Sequence, residues 1–219
     1  MFNIISGLMR ANKGTIVYRY QDTEYNLCKT ASYKQARIGI ARLFQGSNIF
    51  SGLSVLDNML IADNCREGEQ PWQLWNRRKI ERVENGRKAE AETILSRLLG
   101  SDNPLWEKRY DLAGTLSLGQ QRLLAFARLL MNENATLFLL DEPCAGVNPQ
   151  IRQTMAEMIL RLKTEQKTVL LVEHNIDFAQ NVSDNAIYLE NGTVAIHDNI
   201  DRVIKDNRFK NNYLGLKTE

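Results

Sequence analysis

Residues able to do chemistry stand at the ends of two apolar runs. Leu137-Phe138-Leu139-Leu140 leads into Asp141-Glu142, and Val169-Leu170-Leu171-Val172 leads into Glu173-His174. Unbroken runs of this kind mark parallel strands buried on both faces. Between them Ile151, Met155, Met158, Ile159 and Leu162 recur on one face of a helix. A strand–helix–strand unit is almost always right-handed and brings both strand ends to one edge. The carboxyl edge of a parallel sheet is where α/β proteins bind ligands. Acids placed there suit magnesium-nucleotide hydrolysis: Asp141 can hold Mg²⁺, directly or through water, and Glu142 can polarise an attacking water. The same pair also reads as two strand-end acids capping a following helix.

A second motif is Leu116-Ser117-Leu118-Gly119-Gln120-Gln121-Arg122. Ser117 and Gln120 have the spacing of a capping box, which alone describes a well-started helix. An uncovered helix start with a small glycine also offers backbone N–H groups and a positive dipole end to a phosphate. Both readings use the same physics.

The elements that must position these groups are legible along the chain. Gly14 precedes Thr15-Ile16-Val17-Tyr18, a β-branched and aromatic stretch that reads as a strand. Residues 66–110 are charge-rich and helical, with Ala91, Ile94, Leu95, Leu98 and Leu99 at helical spacing. Helices are expected over 117–131 and 150–165 and strands over 136–140 and 168–172. A strand at Ile187-Tyr188-Leu189, an Asn191-Gly192 turn, another strand and a terminal helix follow. At 219 residues, one domain with an ordinary core is expected. Net charge is only +2, too balanced for a nucleic-acid-binding module to be read from it. No apolar run approaches the length of a membrane span, and no signal peptide is recognisable. Cys28, Cys65 and Cys144 have no metal-ligand spacing, and His174 and His197 are too few for a histidine metal centre. A reducing, cytoplasmic setting fits.

In order and spacing, LSLGQ, then the strand ending Asp141-Glu142-Pro143, then Ala145-Gly146-Val147-Asn148, then Val172-Glu173-His174 resemble the ABC ATPase family. Upstream, Gly39-Ile40-Ala41-Arg42-Leu43-Phe44-Gln45 is similar to its Q-loop, and the resemblance runs from Phe2 to Gly215. It implies an α/β fold, a P-loop NTPase-like ABC nucleotide-binding domain spanning 1–219. Residues 66–110 would supply part of a helical subdomain, with the signature helix from 117. By resemblance, ATP and Mg²⁺ are the cofactors. Glu142 is the catalytic carboxylate, His174 the switch histidine contacting the γ-phosphate, and Gln45 coordinates Mg²⁺ and the attacking water beside Asp141. Ser117, Gly119 and Gln120 belong to the signature and Asn148 to the D-loop. Leu118 departs from the family by replacing a signature glycine.

The stretches IFSGLSVLDNMLIA, DEPCAGVNP, VEHNIDFA and Tyr213-Leu214-Gly215 are similar to the ATP-binding subunits of branched-chain amino-acid importers. Related urea and amide importers remain open, and a DNA-repair or translation ATPase fits poorly because 66–110 is too short for a coiled-coil insertion. The partners implied are a second ATP-binding subunit, as homo- or heterodimer, and transmembrane permease subunits docking on 46–60. A solute-binding protein would be met only indirectly, and nucleic acid not at all. The place implied is the cytoplasmic face of the cell membrane. Within 46–60, Ile49, Phe50, Leu53, Val55 and Leu56 are expected to divide between core and exposed groove. Cys144 reads as an inert small residue, and His197, Trp72, Trp75 and Trp106 as packing or surface residues.

A phosphate loop needs Gly-x-x-x-x-Gly-Lys-Ser/Thr, and none of the 13 glycines precedes a lysine. Phe2-Asn3-Ile4-Ile5-Ser6-Gly7-Leu8 resembles the helix that directly follows such a loop, so an N-terminally truncated or mis-started chain is expected. Two functions follow. One is the ATP-hydrolysing subunit of an importer. The other is a non-hydrolytic partner, or a gene fragment, that supplies only the signature half of a composite ATP site.

Overall fold

Aliphatic segments at 40–43, 137–141 and 168–172 pair as a parallel sheet, and helices between them pack against it. The computed structural model describes residues 1–46, 48–62, 77–98 and 103–213. They fall into two compact units, Met1–Val172 and Glu173–Glu219, each treated by itself.

The first unit begins with α1 (Phe2–Ile5), the hairpin β1 (Val17–Tyr20) and β2 (Thr23–Asn26), α2 (Ser32–Arg37) and β3 (Ile40–Leu43). It continues with α3 (Val55–Ala62), α4 (Arg77–Thr93), α5 (Pro104–Glu107), α6 (Leu118–Leu130), β4 (Leu137–Asp141), α7 (Pro149–Thr164) and β5 (Thr168–Val172). The sheet order is β3-β4-β5, with Leu43 opposite Leu140 and Asp141 opposite Val172, so the carboxyl ends of β4 and β5 are level. Phe2, Ile5, Leu27, Ile40, Leu137 and Leu139 form one buried cluster that joins α1 to the sheet.

The sequence places β4 inside and the structure agrees, with Leu137 through Leu140 all buried. The same expectation for β5 is wrong. Thr168 and Val172 are exposed and the residues between them half-buried, because β5 lies at the edge of the sheet among the described residues and is bonded on one side only. On α7 all five residues of the expected apolar face are buried. Ala91, Ile94 and Leu95 are buried as well. The side chain of Leu98, together with Leu99, Cys65, Trp72 and Trp75, lies outside the described residues. Cys28 and Cys144 are free thiols, and Cys144 is buried.

The second unit comprises α8 (Ile176–Val182), the hairpin β6 (Asn185–Glu190) and β7 (Thr193–Asn199), α9 (Ile200–Lys205) and α10 (Asn207–Tyr213). Its turn carries positive φ at both Asn191 (49°) and Gly192 (79°), the backbone that an Asn-Gly hairpin favours. Two helices stand where one terminal helix was expected. Asp206 leaves helical backbone with ψ of 135°, and its carboxylate accepts a bond from the Arg208 N–H at 2.8 Å, starting a new helix.

Candidate functional site

Asp141 closes β4 and Glu142 turns out of it. The Glu142 backbone sits at φ +48°, a left-handed conformation uncommon for a residue with a side chain. Its N–H donates to the Val172 carbonyl at 2.9 Å, continuing the ladder one step past the strand. Its own carbonyl accepts from the Ala145 N–H at 3.2 Å and from Arg122 Nη1 at 2.9 Å. The second guanidinium nitrogen of Arg122, Nη2, donates to the Gln45 carbonyl at 3.2 Å. One side chain from α6 thus ties the end of β4 to the segment after β3. Gln45, Asp141, Glu142 and α6 are brought together in the first unit.

Asp141 has a second cation beside it. Arg42 Nη2 lies 3.4 Å from Asp141 Oδ2 and donates to Asn3 Oδ1 at 2.8 Å, while Nη1 bonds Ser6 Oγ. The Arg42 side chain is only 9% exposed, and its guanidinium lies 4.7 Å from the Phe44 ring centroid. The arrangement links α1 to the acid at the strand end. Sequence reading quoted Arg42 and Arg122 inside motifs but gave neither a role.

At the start of α6 the capping box is real. Ser117 Oγ accepts from the Gln120 N–H at 3.3 Å, and Gln120 Oε1 accepts from the Ser117 N–H at 3.0 Å. Leu118 is 76% exposed, so this helix end is uncovered. Gly119 is buried for packing reasons: a Cβ there would come within 2.9 Å of Ile151 Cδ1. Asn148 caps α7, its Oδ1 accepting from the Ile151 N–H at 2.8 Å.

The 46–60 segment divides as expected. Val55 and Leu56 are buried, Ile49 and Leu53 are half-buried, and Phe50 is exposed under the Arg128 guanidinium at 5.3 Å. Arg128 donates to the Asn48 carbonyl at 2.6 Å, and burial lowers its pKa from the usual guanidinium value. Buried Asn58, which sequence reading missed, both accepts from the Phe50 N–H and donates to the Phe50 and Ser54 carbonyls. A lone polar residue on an apolar helix face was the only available signal for it.

His174 belongs to the second unit. Its backbone N–H donates to Glu173 Oε2 at 3.1 Å, and its Nδ1 lies 3.3 Å from the Tyr213 hydroxyl. His197 is an exposed residue of β7, and Trp106 packs under the Arg109 guanidinium at 4.2 Å.

With a parallel α/β sheet, paired acids at a strand end and an uncovered start of α6 in place, the chain belongs to the ABC transporter family, whose model matches residues 1–145. It is 31% identical, over 98% of its length and 79% of the relative's, to a probable branched-chain amino acid transport ATP-binding protein of Archaeoglobus fulgidus. The high-affinity branched-chain amino acid transport ATP-binding protein of Pseudomonas aeruginosa is also 31% identical, over 96% of this chain and 80% of the relative. A solved ATP-binding cassette of an ABC transporter in its ADP conformation superposes with a TM-score of 0.74 at 27% identity, covering 98% of this chain and 82% of the other. The fold is therefore that of an ABC ATPase cassette. Among the described residues no helix is long and apolar enough to cross a membrane.

Proposed function

We propose that this chain is the ATP-binding and hydrolysing subunit of an ABC importer for branched-chain amino acids. The observation that carries the proposal is the Arg122 bracket, which holds the carbonyls of Gln45 and Glu142 on one guanidinium. It supports a single site in which Glu142 orients and activates water and Gln45 and Asp141 face the metal. Branched-chain transport is the printed role of both named relatives, and family membership supports ATP as ligand. One ABC ATPase domain over 1–219 is part of the proposal, with 66–110 in its helical subdomain.

The donor set fits a Mg²⁺ that arrives on nucleotide phosphates. Mg²⁺ commonly takes one or two carboxylates and fills its shell with water and phosphate. Asp141 is such a carboxylate, and among the described residues no cluster of three or more His, Cys, Asp or Glu could hold a metal unaided. When bound, the ion would neutralise phosphate charge. The chain's own groups do the rest. The Glu142 carboxylate takes a proton from water, the uncovered start of α6 with Ser117, Gly119 and Gln120 faces the phosphates of a partner's nucleotide, Asn148 of the D-loop caps α7, and His174 contacts the γ-phosphate.

The partners in this reading are a second ATP-binding subunit and permease subunits seated on 46–60, with a solute-binding protein beyond them. The half-exposed Phe50 and Arg128 surface supports the permease contact. The protein would sit peripherally on the inner face of the membrane. A second reading is favoured by one observation: the start of α6 is uncovered, with Leu118 76% exposed, as a surface that closes on a partner's nucleotide would be. In that reading the chain completes a partner's ATP site with its signature helix and hydrolyses nothing itself.

The test is a chain with a glycine-rich phosphate loop fused ahead of Phe2. Its ATP turnover falls by a factor on the order of 100 or more in Glu142→Gln, the range lost with a general base, while the ATP-held dimer persists. Full turnover in that variant removes Glu142 from the chemistry.

A further inference from the structure

The Tyr213-Leu214-Gly215 motif has so far only marked the subfamily, yet its tyrosine reaches the switch histidine. Within the second unit the Tyr213 hydroxyl lies 3.3 Å from His174 Nδ1 and 3.5 Å from the His174 carbonyl oxygen. Both contacts are long, and both are made by one oxygen. A phenol has a single proton to give and lone pairs to receive. The backbone carbonyl can only accept, so both contacts are met together only when the hydroxyl donates to the carbonyl and accepts from Nδ1–H.

We propose that Tyr213 is a positioning residue for His174, holding its neutral imidazole as the Nδ1–H tautomer so that Nε2 carries the lone pair. Which nitrogen of a histidine bears the proton is set by the bond its other nitrogen makes. This deepens the reading of His174 as the phosphate-facing histidine and rests on that reading for its use. Proton uptake and release then occur at one atom. With the proton on Nδ1, Nε2 of neutral His174 is an acceptor. Once Nε2 takes up a proton, the imidazolium donates from the same atom to a phosphate oxygen, and the Nδ1–H bond is unchanged throughout.

The surroundings hold both partners in place. The Tyr213 ring stacks on Phe209 with centroids 5.0 Å apart and planes 14° from parallel, and Phe209 meets Tyr188 of β6 edge-on at 5.4 Å. Phe209 is buried, so α10 is anchored through its aromatics. On the histidine side, Glu173 Oε2 accepts from the N–H groups of His174 and Asn175 at 3.1 and 3.4 Å. Asn175 then caps α8 by accepting from the Phe178 N–H at 2.8 Å. Packing alone would be satisfied by phenylalanine at 213. Only the tyrosine hydroxyl, and not phenylalanine, can bond Nδ1.

The chain has two histidines, so histidine-selective ¹⁵N labelling yields two ring spin systems, with His197 as internal reference. At a pH where both rings are neutral, His174 shows a protonated Nδ1 and an unprotonated Nε2. In Tyr213→Phe, which keeps the stack on Phe209, the Nδ1–H form is lost as the main species while the His197 signals stay put. An Nε2–H pattern in the wild type overturns the proposal, and so does an Nδ1–H pattern that survives Tyr213→Phe. Should the variant not fold, the wild type decides. A His174 Nδ1 proton with an Overhauser contact to the Tyr213 ring upholds the assignment, and its absence overturns it. The experiment needs no nucleotide, so it can fail while His174→Ala still slows hydrolysis in a chain bearing a phosphate loop, and the reverse.

Discussion

Glu142 holds its carboxylate on a backbone at φ +48°, a region that costs an ordinary L-residue about 1–2 kcal/mol. Three hydrogen bonds over-determine it: one from its N–H to Val172, and two onto its carbonyl from Ala145 and Arg122. Strain held in place by its surroundings is a mark of functional positions, and here it sits on the residue assigned to activate water. Arg122 is the support that mutation can remove cleanly. Arg122→Ala loses both carbonyl bonds and destabilises the fold by about 2 kcal/mol, the scale of charge-assisted hydrogen bonds. Arg122→Lys recovers less than half of that, because one ammonium cannot lay two parallel N–H groups on two separate carbonyls. Urea midpoints measure both, and a lysine variant as stable as wild type would refute the bracketing role. The acids were legible in the sequence because a paired Asp-Glu after an apolar run is a local pattern. Arg42 and Arg122 were not. Arg42 reaches an acid 99 residues away, and Arg122 bonds two backbone carbonyls. Neither leaves a trace in spacing.

Two glycines show how differently elements depend on a missing side chain. Gly39 precedes β3 at φ +88°, and a Cβ there would sit 2.5 Å from the Asn134 carbonyl oxygen. Its own carbonyl accepts the Thr136 and Leu137 N–H groups that register β4 against β3. Both the backbone conformation and the space are closed to alanine, and the obstacle is main chain. Gly39→Ala is therefore destabilising by about 2 kcal/mol or more. Gly119 is helical, and its obstacle is the tip of Ile151 at 2.9 Å. Alanine gains about 0.5–1 kcal/mol over glycine inside a helix, which offsets most of the crowding. Gly119→Ala stays within about 1 kcal/mol of wild type, and Ile151→Val in the same chain relieves what remains, a non-additive pair. Thermal or urea unfolding of Gly39→Ala, Gly119→Ala, Ile151→Val and the Gly119→Ala/Ile151→Val pair tests this, and a Gly119→Ala cost as large as that of Gly39→Ala would contradict it. Element types were legible wherever one pattern ruled: the five-residue face of α7, the capping box of α6 and the Asn-Gly hairpin all follow their sequences. The exposure of β5 was not, since its Val-Leu-Leu-Val run is that of an interior strand and its place in the sheet is a tertiary fact. The break between α9 and α10 was missed because Asp206 looks like one more surface acid until its carboxylate caps the next turn.

For the molecule as a whole, the remaining question is how tightly these 219 residues hold ATP. Phosphates need either a ring of backbone N–H groups with a lysine or a cation between them and the protein's acids. Among the described residues the chain offers the uncovered start of α6, and a helix N-terminus contributes about 0.3–1 kcal/mol toward an anion. Ser117 and Gln120 already spend their side chains on each other. Asp141 and Glu142 are acids and repel phosphate unless a cation intervenes, and Arg42 is committed to Asp141, Asn3 and Ser6. The sum falls well short of the roughly 8 kcal/mol that a micromolar complex requires. A fluorescent ATP analogue titrated into the 219-residue chain with Mg²⁺ is therefore bound no tighter than about 0.1 mM. Adding a sister ATP-binding subunit that bears a phosphate loop changes the outcome, because the start of α6 then closes over nucleotide already cradled by the partner. ATP-dependent association appears, and it is weakened by Leu118→Glu, which sets a like charge against the phosphates without touching the capping pair. Micromolar binding by the chain alone would show that a phosphate cradle exists among residues not assigned to one here. Association that ignores Leu118→Glu would place the contact between the subunits somewhere other than the start of α6.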